Sequence, residues 1–292
     1  MRSLKSIKKR IVSVKNTQKI TKAMKMVAAA KLRKSQARAL SARHYTEAIW
    51  RLAGRLSALS DHASHPLILA KEKVARRDYL VLTSDRGLCG GFNGNLLRSL
   101  AGELSSCREK NVEPLCKVIG KKGRDYFKAK SWSLKESQTG LYDRFEKGVA
   151  FDLAKVSVER FETGKTDEVW ICFNYFQSAM LQQVKFEKIL PMDPLLNPPP
   201  QGEQNAKADY IYEPTREMIL DSLLREGIAA KIYEAFLESI ASEQAARMAA
   251  MENATNNASD MIGYLTLQYN RARQATITKD LMDIVNGAEA LR

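Results

Sequence analysis

Between Ser84 and Gly94 the chain reads Ser-Asp-Arg-Gly-Leu-Cys-Gly-Gly-Phe-Asn-Gly, four glycines between an apolar run and a helical pattern. Glycines at a strand-to-helix turn let backbone amides approach a phosphate at the helix N-terminus. The spacing is not G-x-G-x-x-G, however, and no Gly-Lys-Ser/Thr follows, which favours a tight structural turn over a nucleotide site. Cys89, Cys107, Cys116 and Cys172 are scattered without a Cys-x-x-Cys pair, and His44, His62 and His65 supply no clustered metal ligands. Small, partly buried, reduced thiols are the expectation. No nucleophile-base set and no paired carboxylates stand out, so neither a catalytic residue, a metal nor a cofactor is expected.

Charge is the second chemical feature. Residues 1–43 carry fourteen Lys and Arg and no acid, the first being Glu47, while the whole chain has a net charge of +14. The basicity is therefore local, and fourteen unopposed charges repel one another along a helix. An acidic protein partner is the favoured reading. The alternative is a basic coiled-coil nucleic-acid-binding protein. Against it, the basic residues are interleaved with the apolar stripe, and residues 1–43 contain no aromatic for base stacking.

The elements that must position these groups follow from periodicity. Leu4, Ile7, Ile11 and Val14 recur at three- and four-residue spacing, Ile20, Met24 and Val27 continue, and no Pro or Gly occurs before Gly54. Residues 1–60 therefore read as one helix, on the order of 80 Å long at about 1.5 Å per residue. The span 61–212 reads as an inserted α/β domain. Strands are expected at 79–83, 115–119, 169–176 and 181–189, the last two as a hairpin, with helices near 94–110, 120–127 and 151–161. That alternation predicts a Rossmann-like sandwich with a partly parallel sheet. Residues 191–209, with Pro198-Pro199-Pro200, read as a linker.

After Pro214 there is no further proline, and 213–292 reads as a second long helix. Leu220, Leu224, Ile228, Ile232, Phe236 and Ile240 sit at four-residue spacing, as do Ala241, Ala245 and Ala249. Such a stripe drifts around the axis, so a strictly regular heptad coiled coil is not expected. Met248, Met251 and Met261 are expected to fill irregular gaps. From Glu213 onward there are twelve acids and eight bases. The fold class is thus α/β with a long α-helical coiled coil, the terminal helices forming an antiparallel pair. The surplus of positive charge still calls for acidic partners. No run approaches 18 apolar residues, so no direct membrane span is expected. The start, Met-Arg-Ser-Leu-Lys-Ser-Ile, lacks a signal-peptide core, and a cytosolic chain is expected.

Three long motifs then carry a resemblance. Ile7 to Lys34 (IKKRIVSVKNTQKITKAMKMVAAAKLRK), SDRGLCGGFN at 84–93, and SEQAARMAAMENATNNASDMIGYLTLQYNRARQATITKDLMDIVNGAEA at 242–290 resemble the signatures of the gamma-subunit family of rotary F-type ATP synthases. They occur in order from end to end, and the region 100–210 matches by layout more than by residues. The resemblance implies a central stalk turning inside a hexamer of alpha and beta subunits, with the α/β domain against the epsilon subunit and the c-subunit ring. Catalysis would lie on beta, with no nucleic acid involved. The location implied is peripheral, on the cytoplasmic side of the bacterial inner membrane.

Residue by residue, the resemblance implies hexamer contacts at Lys22, Met24, Lys25, Arg273, Gln274 and Thr278, and contacts with the ring and epsilon at Tyr210 and Tyr212. An apolar tip, Leu281, Met282, Ile284, Val285, Ala288 and Leu291, would turn in an apolar sleeve. The photosynthetic branch of the family inserts a Cys pair after the middle strands. Here Leu195–Gln201 has no cysteine, so thiol regulation is not expected.

Overall fold

A computed structural model of the chain describes residues 4–59, 65–130, 132, 134–142, 145–192, 212–213 and 215–290. Within them run helix α1 (Leu4–Leu59), strand β1 (Arg76–Leu82), α2 (Phe92–Glu109), β2 (Glu113–Ile119), α3 (Lys121–Ala129), β3 (Glu136–Gln138), α4 (Lys147–Glu162), β4 (Glu168–Phe176), β5 (Gln182–Leu190) and α5 (Arg216–Ala290). The helices and hairpin read from the sequence are present, with ends shifted by a few residues. The unforeseen element is β3. It has three polar residues and lies at a sheet edge, so it carries no apolar alternation to read.

The sheet has the order β3-β2-β1-β4-β5, parallel except for the antiparallel β4–β5 pair. Alternation along β1 explains the layers. Tyr79 and Val81 point to one core with α2, α3, Cys116 and Cys172; Leu80 and Leu82 point to the other. The second core takes Ala150, Leu153, Ala154, Val158 and Phe161 from α4. It also takes Trp50, Ala53 and Leu56 from α1, and Leu220, Leu224, Ile228, Ile232 and Phe236 from α5. The four-residue stripe of α5 is therefore a sheet-covering face. Each such side chain contributes about 1.5–3 kcal/mol on burial, and Phe145 stacks on Phe236 with ring centroids 3.9 Å apart. The terminal helices thus supply one covering layer of the α/β body.

The chain divides into two compact units, Ala30–Ala246 and Met1–Ala29 with Arg247–Arg292, so the division falls inside both long helices. In the second unit, Thr21 and Thr255 hydroxyls meet at 2.8 Å and the Lys25 ammonium donates to Glu252 Oε1 at 2.6 Å. In the first, Arg38 reaches Tyr233 and the Tyr45 hydroxyl donates to Glu226 Oε1 at 2.8 Å. Rising numbers on α1 meet falling numbers on α5 in each unit, which is the antiparallel pairing expected.

The expectation against regular heptads is corrected in the Met1–Ala29 and Arg247–Arg292 unit. On α1 the buried or half-buried positions include the row Leu4, Ile7, Ile11, Val14, Gln18, Thr21, Lys25 and Ala28, flanked by Met24 and Ala29; on α5 they include the row Met251, Thr255, Ala258, Ile262, Leu265, Tyr269 and Ala272, flanked by Ala254 and Gln268. Both series step alternately by four and three, the seven-residue repeat of a two-stranded seam. The four-residue stripe misled because it belongs to the part of α5 that is covered on several sides. Met251 is buried as expected of a gap filler, but Met261 is exposed and fills nothing.

Candidate functional site

In a doubly wound sheet, a ligand crevice opens at the carboxyl ends of the strands where strand order reverses, here between β1 and β4. The chain itself fills that place. Ser242 Oγ of α5 donates to the Asn174 carbonyl at 2.9 Å, Asn174 Nδ2 donates to the Phe92 carbonyl at 3.3 Å, and Cys89 and Phe92 pack on Ala246. The N-terminus of α3 is also occupied. Asp85 Oδ1 accepts the Lys121 amide and Oδ2 the Gly140 amide, both at 3.0 Å, so a carboxylate sits where an anion would be held.

The glycine-rich turn is tied to itself. The Ser84 amide donates to Asn93 Oδ1, Asn93 Nδ2 donates to Ser84 Oγ, and Ser84 Oγ donates to the Arg86 carbonyl. Leu88 and Gly90 take left-handed backbone angles there. Gly120, at the β2–α3 junction, has φ 103°, and a Cβ on it would lie 1.9 Å from the Thr83 carbonyl oxygen. Only glycine permits that approach. The turn therefore seats α5 against the sheet, in line with the structural reading of its glycines.

The remaining candidates are surfaces. Lys8, Lys9, Arg10, Lys15, Lys19 and Lys22 are exposed along α1. Lys22 and Lys25 share a groove of about 440 Å³ with Gln18, Lys19, Met26, Glu252, Thr255 and Asn256. Sequence reading missed Lys19 and Met26, whose only signal was their place one helical turn from Lys22. Met24 is half-buried, and part of the charge of Lys25 is spent on Glu252.

Arg273, Gln274 and Thr278 lie exposed on α5, in a stretch where every described side chain from 273 to 286 is exposed. They begin 18 residues beyond Thr255, roughly 27 Å along a helix, so the structure does not join them to the Lys22 groove. The exposed apolar side chains there are Ile277, Leu281, Met282, Ile284 and Val285. Tyr212 is half-buried against the core, with the Arg216 guanidinium 5.3 Å from its ring centroid. Tyr210, His62, Leu195–Gln201 and the side chains of Ala288 and Leu291 lie outside the described residues. All four cysteines are buried thiols outside any disulfide; burial pushes the Cys116 thiol up to about 12 and that of Cys172 well above its ordinary value.

A model of the ATP synthase family matches residues 3–291. The ATP synthase gamma chain of Pelotomaculum thermopropionicum is 43% identical over 293 residues, covering all of both chains. The chain belongs to the ATP synthase gamma family. The gamma chain of Anaeromyxobacter sp. (strain Fw109-5) is likewise 43% identical over 295 residues, again covering all of both. Among solved structures, a chain of the central stalk and c ring of Tetrahymena thermophila mitochondrial ATP synthase superposes with a TM-score of 0.61 at 27% identity, over 80% of this chain and 99% of that one. A chain of Euglena gracilis mitochondrial ATP synthase superposes at 0.68 and 20% identity, over 99% and 94%, which bears on the fold alone. The resemblance read from the three motifs is thereby established as membership. The nucleic-acid reading finds no support among these gamma-family relatives.

Proposed function

We propose that this chain is the rotating central stalk of an ATP synthase, coupling rotation of a membrane c ring to conformational change in an alpha/beta hexamer. The observation that carries the reading is the stem: two antiparallel helices on a heptad seam, a basic coat, and an α5 extension whose described apolar side chains from 273 to 286 are exposed. A continuous helix pair transmits torque, and an apolar tip with few directional groups turns without being caught in one deep contact. Exposed cations at Lys19 and Lys22 form weak, exchangeable pairs with acidic partner loops.

Within this reading, Lys22, Met24 and Lys25 with Arg273, Gln274 and Thr278 face the hexamer at two separate levels of the stem. Tyr210 and Tyr212 belong to the foot near the ring and epsilon. The three-part division into 1–60, 61–212 and 213–292 corresponds to shaft helix, ring-facing body and shaft helix. Among the described residues no helix is long and apolar enough to cross a membrane. The chain is proposed to reach the membrane peripherally, on its cytoplasmic face, through its partners.

Reconstitution with alpha and beta subunits tests the proposal. One copy of this chain per hexamer, with ATP turnover altered relative to alpha plus beta alone, is the expected result. A folded chain that fails to associate would refute it.

A further inference from the structure

A shaft is useful only if torque enters it without slip, so the contacts between the sheet and the helix pair decide how rigid the joint is. Apolar packing there is extensive but non-directional. Single directional contacts tie α5 to β5 (Lys231 to Glu187) and to α4 (Arg225 to Glu162), and a connected set of them converges at the end of β4. Arg43 of α1 donates from Nε and Nη2 to the two carboxylate oxygens of Glu238 of α5, at 2.6 and 2.9 Å. The same Nη2 donates to the Phe176 carbonyl at 2.9 Å, and the Phe176 amide donates to Glu238 Oε2 at 3.0 Å.

These bonds close a ring through three elements: α1 to α5, α5 to β4, and β4 back to α1. Both backbone polar groups of Phe176 are held by a charged partner, and those partners hold each other in a bidentate pair. The Glu238 side chain is fully buried, where such bonds are strong and hard to replace by water. Ser242, one turn further along α5, holds the Asn174 carbonyl of the same strand. A sliding or rotating helix would have to break all of these at once.

Resting on the central-stalk reading above, we propose that the ring formed by Arg43, Glu238 and the Phe176 peptide groups is the joint through which torque passes from the α/β body into the helix pair. Both side chains are positioning residues. They hold the shaft in register with the body and touch no substrate.

The test uses the complete complex in sealed vesicles, with Glu238→Gln and the milder Arg43→Lys, and Arg38→Gln as a control on the neighbouring turn. Incorporated variants are expected to support near-normal ATP hydrolysis, which needs only the stem in the hexamer. Ions pumped per ATP should fall several-fold in Glu238→Gln and less in Arg43→Lys, which keeps the charge but loses the fork. Unchanged pumping per ATP in both variants would overturn the proposal. Poor incorporation with normal coupling in the complexes that do form would also overturn it, leaving a purely structural pair. Failure of the unsubstituted chain to assemble would instead refute the central-stalk reading on which the proposal rests.

Discussion

Asp167 shows how one side chain fixes the start of the sheet. Its carboxylate accepts from Lys71 Nζ at 2.8 Å and from the amides of Ala75 and Arg76 at 2.9 and 2.8 Å, pinning the entry of β1 beside that of β4. Burial pushes its pKa up, but the Lys71 bond and the two amides outweigh that, and the group stays below its ordinary value. The sign follows directly. A depressed carboxylate stabilises the fold above its unfolded value of about 3.9, and the contribution is lost as pH falls through the lower folded value. Asp167→Asn should cost about 2 kcal/mol near neutrality, because a charge-assisted cluster is weakened. It should also flatten the acid limb of stability against pH. Urea unfolding at a series of pH values checks both; an acid limb as steep as the parent's would show that Asp167 does not cause it.

At the scale of elements, the paired stem contains polar groups on its seam. Thr21 and Thr255 bond each other in the layer that Ile or Leu would fill in a fully apolar coil. Thr21→Val alone removes the interhelix bond, leaving the Thr255 hydroxyl only its bond to the Met251 carbonyl at 2.7 Å, and should destabilise by roughly 1 kcal/mol. The double change Thr21→Val with Thr255→Val removes both polar groups and should recover most of that loss. Thermal melts of the four members of this cycle provide the measurement, and an additive double mutant would show the two hydroxyls to be uncoupled. The seam also explains the abundance of alanine: Ala28 and Ala258 allow close approach of the two helices, as Ala39 and Ala42 do beside Leu237 in the body.

Over the whole molecule the governing quantity is charge. The net +14 is concentrated on α1, and its exposed lysines gain more from an acidic partner than from solvent. If the proposed central-stalk role holds, affinity for an alpha/beta hexamer should therefore fall as salt rises, since the screening length shrinks from about 10 Å at 0.1 M to about 3 Å at 1 M. Lys19→Gln with Lys22→Gln should weaken binding by roughly 0.4–2 kcal/mol at low salt and reduce the salt dependence. Titration by sedimentation at several salt concentrations reads both effects. A salt-independent affinity would mean that the apolar tip alone seats the stem.

Sequence by itself determined the two long helices, the order of strands and helices between them apart from the short edge strand β3, the basic coat and the family. Each of these is written in local periodicity, in proline and glycine punctuation, or in long contiguous motifs. Tertiary structure alone decided three further things. The same α5 changes from a four-residue stripe to a heptad seam, because its neighbours change from sheet and helices to one partner helix. The glycine-rich turn became a seat for α5, because folding brings Ala246 onto Cys89 and Phe92. Arg43 and Glu238, 195 positions apart, form one ring with Phe176. Nothing local marks either residue, since a buried ion pair is defined by the partner that folding brings to it.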